Sequence, residues 1–345
     1  MENDIKKILK NGNFTHKTIK NIIQKRTIYG INEALNTLEA FSSYYVDGRT
    51  ITLKIYESRR LKSNNQCPHC GQPMSIFCKQ VDKYKWKCTA EGCKKYIYPL
   101  SGTPLEGAHK DLDKILVFVY YFFNSKHGLS AKEVQRLMGW RYKTAHHWCR
   151  RIRQWMGLAV DAFEFDKNDC IEGDEVFIRV PANLGRFVKY TRGLGSERIV
   201  SVVTQYSRKT GYAKAYVVDD VDKATIRDIY KNVSSSSTIC TDGKPVYKFL
   251  SKEGYNHSEC NHKKKIWSTE EGTHTNHLEA LHSFIKSTIG AVHRGVSREY
   301  LSEYLSQSCF VFSLRDKNAI AAAETLFEAL PPFHKTEEII INEEN

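Results

Sequence analysis

The feature that most constrains the fold is an apolar segment at 170–180 that contains acids. Its residues have the pattern of a β-strand, yet Glu172, Asp174 and Glu175 fall inside it. In a strand, Glu172 and Asp174 point to one face and Glu175 to the other. A carboxylate within a core strand is costly unless it is paired or binds a metal. The fold must therefore bring a cation or a metal ion to this strand.

The order of elements around this strand predicts a mixed α/β sheet. Strands are predicted at 171–180, 198–206 and 212–218, then a helix at 222–231, a short strand before Asp242, a helix at 244–252 and a helix that contains Glu279. Three consecutive strands followed by alternating helices and strands are typical of a ribonuclease-H-like fold. In that fold the first and fourth strands are neighbours, so the ends that carry Asp174 and Asp242 should meet.

Three acids form the predicted catalytic constellation, namely Asp174, Asp242 and Glu279. Carboxylates suit Mg²⁺ or Mn²⁺, and two such ions roughly 3.5–4 Å apart activate both oxygens of a phosphodiester exchange. Asn276 and Lys286 share a helix face with Glu279, three residues before and seven after it. Asn276 is predicted to ligate or orient, and Lys286 to contact the DNA strand being processed.

Other acids compete for these roles. They are Glu172, Glu175, Asp219, Asp220 and Asp222. Glu172 is the most credible substitute for Asp174, because it would share the same face of the strand.

Four cysteines predict a structural zinc site. Two pairs, Cys67/Cys70 and Cys88/Cys93, follow one another within a lysine-rich segment. Tetrahedral zinc is commonly held by two such pairs, and a segment this short needs the metal to fold. The second pair has a wider gap than usual, so Cys78 and His69 are alternative ligands.

Two helices between residues 130 and 156 predict a helix-turn-helix. Ser130 and Glu133 form a capping-box pattern, and Gly139 is placed to end the first helix. Such a pair places its second helix in a DNA major groove, although an ordinary helical hairpin has the same pattern. The predicted DNA-binding residues are Arg141, Lys143, Arg150, Arg151 and Arg153.

The charge of the chain favours a nucleic-acid partner. Its formal net charge is +13, and its pI is about 9.1, which attracts polyanions. No apolar run approaches the roughly 20 residues that span a bilayer. The charged N-terminus is unlike a signal peptide. We therefore expect a cytoplasmic protein that acts on DNA.

From about Cys67 to Phe312 the chain resembles bacterial insertion-sequence transposases of the zinc-ribbon, ISXO-like group. The motifs that carry the resemblance are Tyr98-Pro-Leu-Ser-Gly-Thr103, Ser130-Ala-Lys-Glu133, Gly173-Asp174-Glu175, Thr241-Asp242-Gly243, Asn276-His-Leu-Glu279, Lys286, Gly290 and His293-Arg-Gly-Val-Ser297. The resemblance implies a DDE catalytic domain, binding to terminal inverted repeats, and assembly as a homo-oligomer on DNA. In some relatives an asparagine takes the third acid's role, so Asn276 and Glu279 both remain candidates.

These patterns together predict the organisation of the chain. They indicate an N-terminal helical region of unknown role (1–60), a zinc ribbon (61–105), a helix-turn-helix region (110–158), a catalytic domain (165–320) and a tail (321–345). The predicted function is a transposase that binds transposon-end and target double-stranded DNA, cleaves it and transfers strands. The alternatives are a relative that only binds DNA and a nuclease that cuts without joining.

Overall fold

The computed structural model describes residues 38–45, 48–74, 78–82, 84–108, 112–181, 198–260 and 274–333. The N-terminal helical pattern before residue 38 and the acidic tail after residue 333 lie outside the described residues. The chain divides into two compact units: one comprises 1–124 and 317–345, and the other comprises 125–316.

The described helices are numbered in chain order. They are α1 (Leu38–Tyr44), α2 (Gly48–Lys62), α3 (Leu112–Asn124), α4 (Ala131–Met138), α5 (Tyr142–Asp161), α6 (Lys223–Tyr230), α7 (Asn276–Ser287), α8 (Leu301–Ser313) and α9 (Ala319–Glu328). The strands are β1 (Cys78–Asp82), β2 (Lys85–Cys88), β3 (Tyr96–Ile97), β4 (Cys170–Arg179), β5 (Ile199–Ser207), β6 (Ala213–Val218), β7 (Thr238–Thr241) and β8 (Asn256–Glu259). Among the described helices, none combines the length and apolarity needed to cross a membrane.

In the first unit, a small antiparallel sheet of β1, β2 and β3 packs on helix α2. The Trp86 ring stacks on Tyr56, with ring centroids 4.5 Å apart and planes within 9°. Arg59, on the same helix, is buried and donates hydrogen bonds to the carbonyl oxygens of Pro99 at 2.7 Å and Ser101 at 2.6 Å. Helix α2 therefore supplies part of the core that a segment this short cannot supply itself.

The second unit contains a five-stranded mixed sheet in the order β6-β5-β4-β7-β8. Strands β4, β5 and β6 pair antiparallel, whereas β7 and β8 run parallel to β4. The first and fourth strands of the unit are thus neighbours at its centre. This arrangement confirms the predicted ribonuclease-H-like fold class.

The register of the two central strands brings two acids together. Gly173 of β4 lies opposite Thr241 of β7, so Asp174 and Asp242 are the next residues on adjacent parallel chains. The core beneath them contains Ile171, Ile239 and the fully buried Tyr230 of α6. A packed core therefore fixes the positions from which both carboxylates project.

Two details differ from the sequence-based expectation. The helix predicted at 244–252 is two short 3₁₀ segments, Pro245–Tyr247 and Leu250–Glu253, and Pro245 begins the first of them. Strand β8, Asn-His-Ser-Glu, was not predicted, because an edge strand of polar residues lacks the apolar alternation that marks a half-buried strand.

The helical pair α4–α5 has the predicted caps. The Ser130 side chain accepts from the Glu133 backbone N–H, and the Glu133 carboxylate accepts from the Ser130 backbone N–H at 2.7 Å. Gly139 ends α4 in the left-handed conformation, with φ of 64°. Helix α5 packs on α4 and on α8.

Candidate active site

Three carboxylates converge beyond the end of β7, those of Asp174, Glu175 and Asp242. One oxygen from each lies within 4.8 Å of the others. Lys244 Nζ sits among them, 2.7 Å from Glu175 Oε1, 2.9 Å from Asp242 Oδ2 and 3.4 Å from Asp174 Oδ1. Because the pairing of β4 with β7 ends at Gly173, Glu175 also reaches this space.

Burial disfavours the ionised form of the carboxylates in this cluster. It raises the pKa of Asp174 and that of Asp242 above their ordinary values, with the Lys244 ammonium opposing the rise in both. Carboxylates held together in a half-buried site need positive charge to remain ionised. The oxygen-only donor set fits hard divalent cations such as Mg²⁺ or Mn²⁺.

Helix α7 carries the other predicted catalytic residues along one side. Asn276 and Glu279 lie in its first turn and Lys286 in its last turn, all three exposed. His282, between them, places its Nδ1 4.0 Å from Asp174 Oδ2. The helix therefore faces Asp174 Oδ2, whereas Lys244 lies near Oδ1. Glu279 lies outside the group of three converging acids.

Glu172 makes a separate, fully buried network. Its Oε1 accepts from Arg208 Nε at 2.8 Å and lies 2.7 Å from His277 Nδ1. Its Oε2 accepts from the backbone N–H groups of His277 at 3.1 Å and Leu278 at 3.3 Å. Glu172 therefore anchors the first turn of α7, the turn that contains Glu279.

The remaining competing acids lie at the surface. Asp222 caps α6 by accepting from the Thr225 backbone N–H at 2.8 Å. Asp219 pairs with Arg298, and both Asp219 and Asp220 are exposed.

The close approach of α6 to β4 depends on Gly173. A Cβ at this position would overlap the Tyr230 hydroxyl oxygen, and Tyr230 is fully buried. We expect Gly173→Ala to lower the free energy of unfolding by about 1–3 kcal/mol, because overpacking forces side chains from their positions. Urea unfolding measures this change in the free energy of unfolding. Gly157→Ala is the control, since its Cβ would make only an ordinary 3.5 Å contact with Ser306; an equal loss in both variants would contradict this packing.

The four predicted zinc ligands come together in the first unit. The sulfur atoms of Cys67, Cys70, Cys88 and Cys93 lie within 4.8 Å of one another. Burial raises the pKa of Cys67 and of Cys88 to about 12, so a metal must displace their protons. Of the two alternative ligands, His69 has its Nε2 2.9 Å from the Tyr96 carbonyl oxygen. Four sulfurs at such separations fit tetrahedral zinc.

A zinc measurement checks this site. We expect one zinc ion per purified chain by elemental analysis, and its loss in Cys67→Ala, because removing one thiolate opens the tetrahedron. The buried Cys149, which lies in the other unit, gives the control Cys149→Ala, which should keep its zinc. Full zinc content in Cys67→Ala would contradict the assignment.

The predicted DNA-binding residues of α5 differ in exposure. Arg141 and Lys143 are exposed and Arg151 is partly exposed. Arg150 pairs with Glu303 at 2.8 Å. Arg153 is buried, donates to Gln307 Oε1 at 2.8 Å and lies over the Tyr304 ring. Arg153 therefore belongs to the packing between α5 and α8, and the exposed residues at the start of α5 are the ones that face solvent.

The sheet order, with acids at the adjacent ends of its two central strands, defines a ribonuclease-H-like domain of the class that processes nucleic acids. Residues 168–313 match the family model of the ISXO2-like transposase domain. This part of the chain therefore has the sequence of an ISXO2-like transposase domain.

A crystal structure of a pre-cleavage Mos1 transpososome is similar at 9% identity over 63% of this chain and 79% of that chain, with a TM-score of 0.24. A similarity at that TM-score carries no argument about this protein. The comparison with curated proteins gave no match.

Proposed function

We propose that this protein is a transposase that cleaves transposon-end DNA and transfers the strand using divalent ions held by Asp174, Asp242 and Glu279. The observation that carries the proposal is the convergence of acids from two adjacent strands around one cationic centre. Bound Mg²⁺ or Mn²⁺ would neutralise charge on the attacking and leaving oxygens. Asn276 remains an alternative to Glu279, and Lys286 is proposed to contact the processed strand.

The chain's own residues prepare this site. Burial and the core beneath β4 and β7 fix Asp174 and Asp242, so these two carboxylates need little reorganisation when cations displace Lys244. Lys244 keeps the carboxylates close despite their mutual repulsion. The Glu172 network holds the first turn of α7 and hence the approach of the third acid.

The other segments are proposed to serve DNA binding and folding. Residues 61–105 would form a zinc ribbon, 110–158 a DNA-binding region that uses Arg141, Lys143 and Arg151, and 165–320 the catalytic domain. Exposed basic residues at the start of α5 suit phosphate contacts. The partners are transposon-end and target double-stranded DNA, with assembly as a homo-oligomer on the DNA.

A strand-transfer assay tests this function. DNA that flanks the gene would be incubated with the native chain and with Asp242→Asn, in the presence of Mg²⁺ or of EDTA. We expect cleaved and joined products only with native protein and Mg²⁺. Cleavage without joining would indicate a nuclease, binding without cleavage a DNA-binding protein, and full activity of Asp242→Asn a wrong site assignment.

A further inference from the structure

His282 of α7 is a buried histidine whose two ring nitrogens have different neighbours. Its Nε2 lies 2.8 Å from Thr204 Oγ1 on β5. Its Nδ1 faces Asp174 Oδ2 at 4.0 Å, which is too long for a hydrogen bond. The ring therefore lies between the sheet and the predicted metal-binding acids.

The hydrogen bonds of Thr204 determine which nitrogen carries the proton. The Thr204 hydroxyl donates its only proton to the Asp174 carbonyl oxygen at 2.9 Å. Its oxygen can then only accept from His282, so Nε2 carries the hydrogen. In a neutral imidazole, the ring nitrogen without the hydrogen is the acceptor. Nδ1 consequently presents a lone pair toward Asp174.

Asp174 faces two different groups with its two oxygens. Oδ1 accepts from the Glu175 backbone N–H at 2.8 Å and lies near Lys244. Oδ2 faces His282 on α7. A carboxylate placed in this way can contribute one oxygen to each of two cation positions.

We propose that His282 Nδ1 is a ligand for the divalent ion on the α7 side of Asp174. The proposal rests on the proposed two-ion function. Glu279 lies one helical turn before His282, so a carboxylate and an imidazole lie on the same face of α7. A metal-binding histidine usually has its other ring N–H held by a hydrogen bond, and Thr204 supplies that bond.

A nitrogen ligand changes the ion preference of the site. Magnesium favours oxygen ligands, whereas imidazole suits transition-metal ions. The ion on the α7 side should therefore favour Mn²⁺ over Mg²⁺. Replacement of His282 should weaken Mn²⁺ binding about 10-fold and Mg²⁺ binding less.

Electron spin-echo envelope modulation of Mn²⁺ bound to the full chain tests the proposal directly, because it detects ¹⁴N coordinated to manganese. The test variant is His282→Gln, whose amide can still donate to Thr204 and so preserve the packing. The matched control is His257→Gln. His257 is also a buried histidine with Nε2 beside a threonine hydroxyl, 2.9 Å from Thr241 Oγ1.

The proposal predicts a ¹⁴N coupling in the native chain and in His257→Gln, and its loss in His282→Gln. Bound Mn²⁺ without that coupling would overturn the role of His282 while leaving the carboxylate site intact. A coupling that persists in His282→Gln would also overturn it. If the native chain binds no Mn²⁺, both the proposed role of His282 and the proposed two-ion function are wrong.

Discussion

Asp174→Asn is expected to reduce the rate of DNA-end cleavage about 1,000-fold or more without unfolding the protein. Ion binding at this site contributes several kcal/mol to transition-state stabilisation, and each 1.4 kcal/mol corresponds to about tenfold in rate. The amide is nearly isosteric but carries no charge to hold a cation. Asp174 lies between the Lys244 side and the α7 side of the site, so this one change affects both. Single-turnover cleavage of transposon-end DNA in Mg²⁺ measures the effect.

The control for this prediction is Asp228→Asn. Asp228 is an exposed acid on α6 that pairs with Lys231, and it is not one of the three converging acids. Its cleavage rate should equal that of the native chain. Equal rates for native and Asp174→Asn proteins, with both folded by circular dichroism, would remove Asp174 from the catalytic site.

Glu172→Gln is expected to cause the largest loss of stability in the second unit. Glu172 is fully buried, and its carboxylate pairs with Arg208 Nε and accepts from two backbone N–H groups of α7. Removing one member of a buried pair costs about 3–5 kcal/mol. The amide introduced by Glu172→Gln would no longer neutralise Arg208, and its N–H group would face a donor that the carboxylate accepted from. Urea unfolding followed by circular dichroism measures this loss.

An exposed ion pair in the same unit provides the comparison for Glu172→Gln. Glu253 pairs with Arg227 at the surface, and Glu253→Gln should leave the unfolding midpoint unchanged, because solvent screens such pairs. Similar midpoints for Glu172→Gln and the native chain would show that the network does not hold α7 on the sheet.

The sequence predicted elements whose signals are local. The Ser130–Glu133 cap and the Gly139 terminus follow from backbone hydrogen bonding within a few residues. The strand order followed from the succession of elements, and the register then placed Asp174 beside Asp242. Each of these depends on short-range chemistry or on the rules of sheet topology.

The contacts that sequence reasoning missed join distant segments. The part played by Lys244 among the acids depends on where β7 ends. The orientation of His282 depends on Thr204, which is 78 positions away along the chain. Glu172 has the same alternation pattern as Asp174, so only its contacts with Arg208 and α7 separate this anchoring acid from an acid proposed to bind metal. In the sequence, the one sign of a role for His282 was its position three residues after Glu279 on a predicted helix.

The sequence pattern of α5 also did not predict which of its arginines are exposed. Arg153 and Arg151 are both basic and lie two positions apart, yet one packs against Tyr304 and the other reaches the surface. Helix α8 determines this difference, and its packing against α5 joins segments about 150 residues apart.

The most direct test of the central claim is a crystal structure of the full chain soaked with Mn²⁺, with anomalous scattering used to locate the ions. The account predicts a manganese peak coordinated by Asp174 and Asp242, with Lys244 moved aside to make room for it. Manganese bound only elsewhere, with Lys244 still holding the three carboxylates at saturating metal, would contradict it.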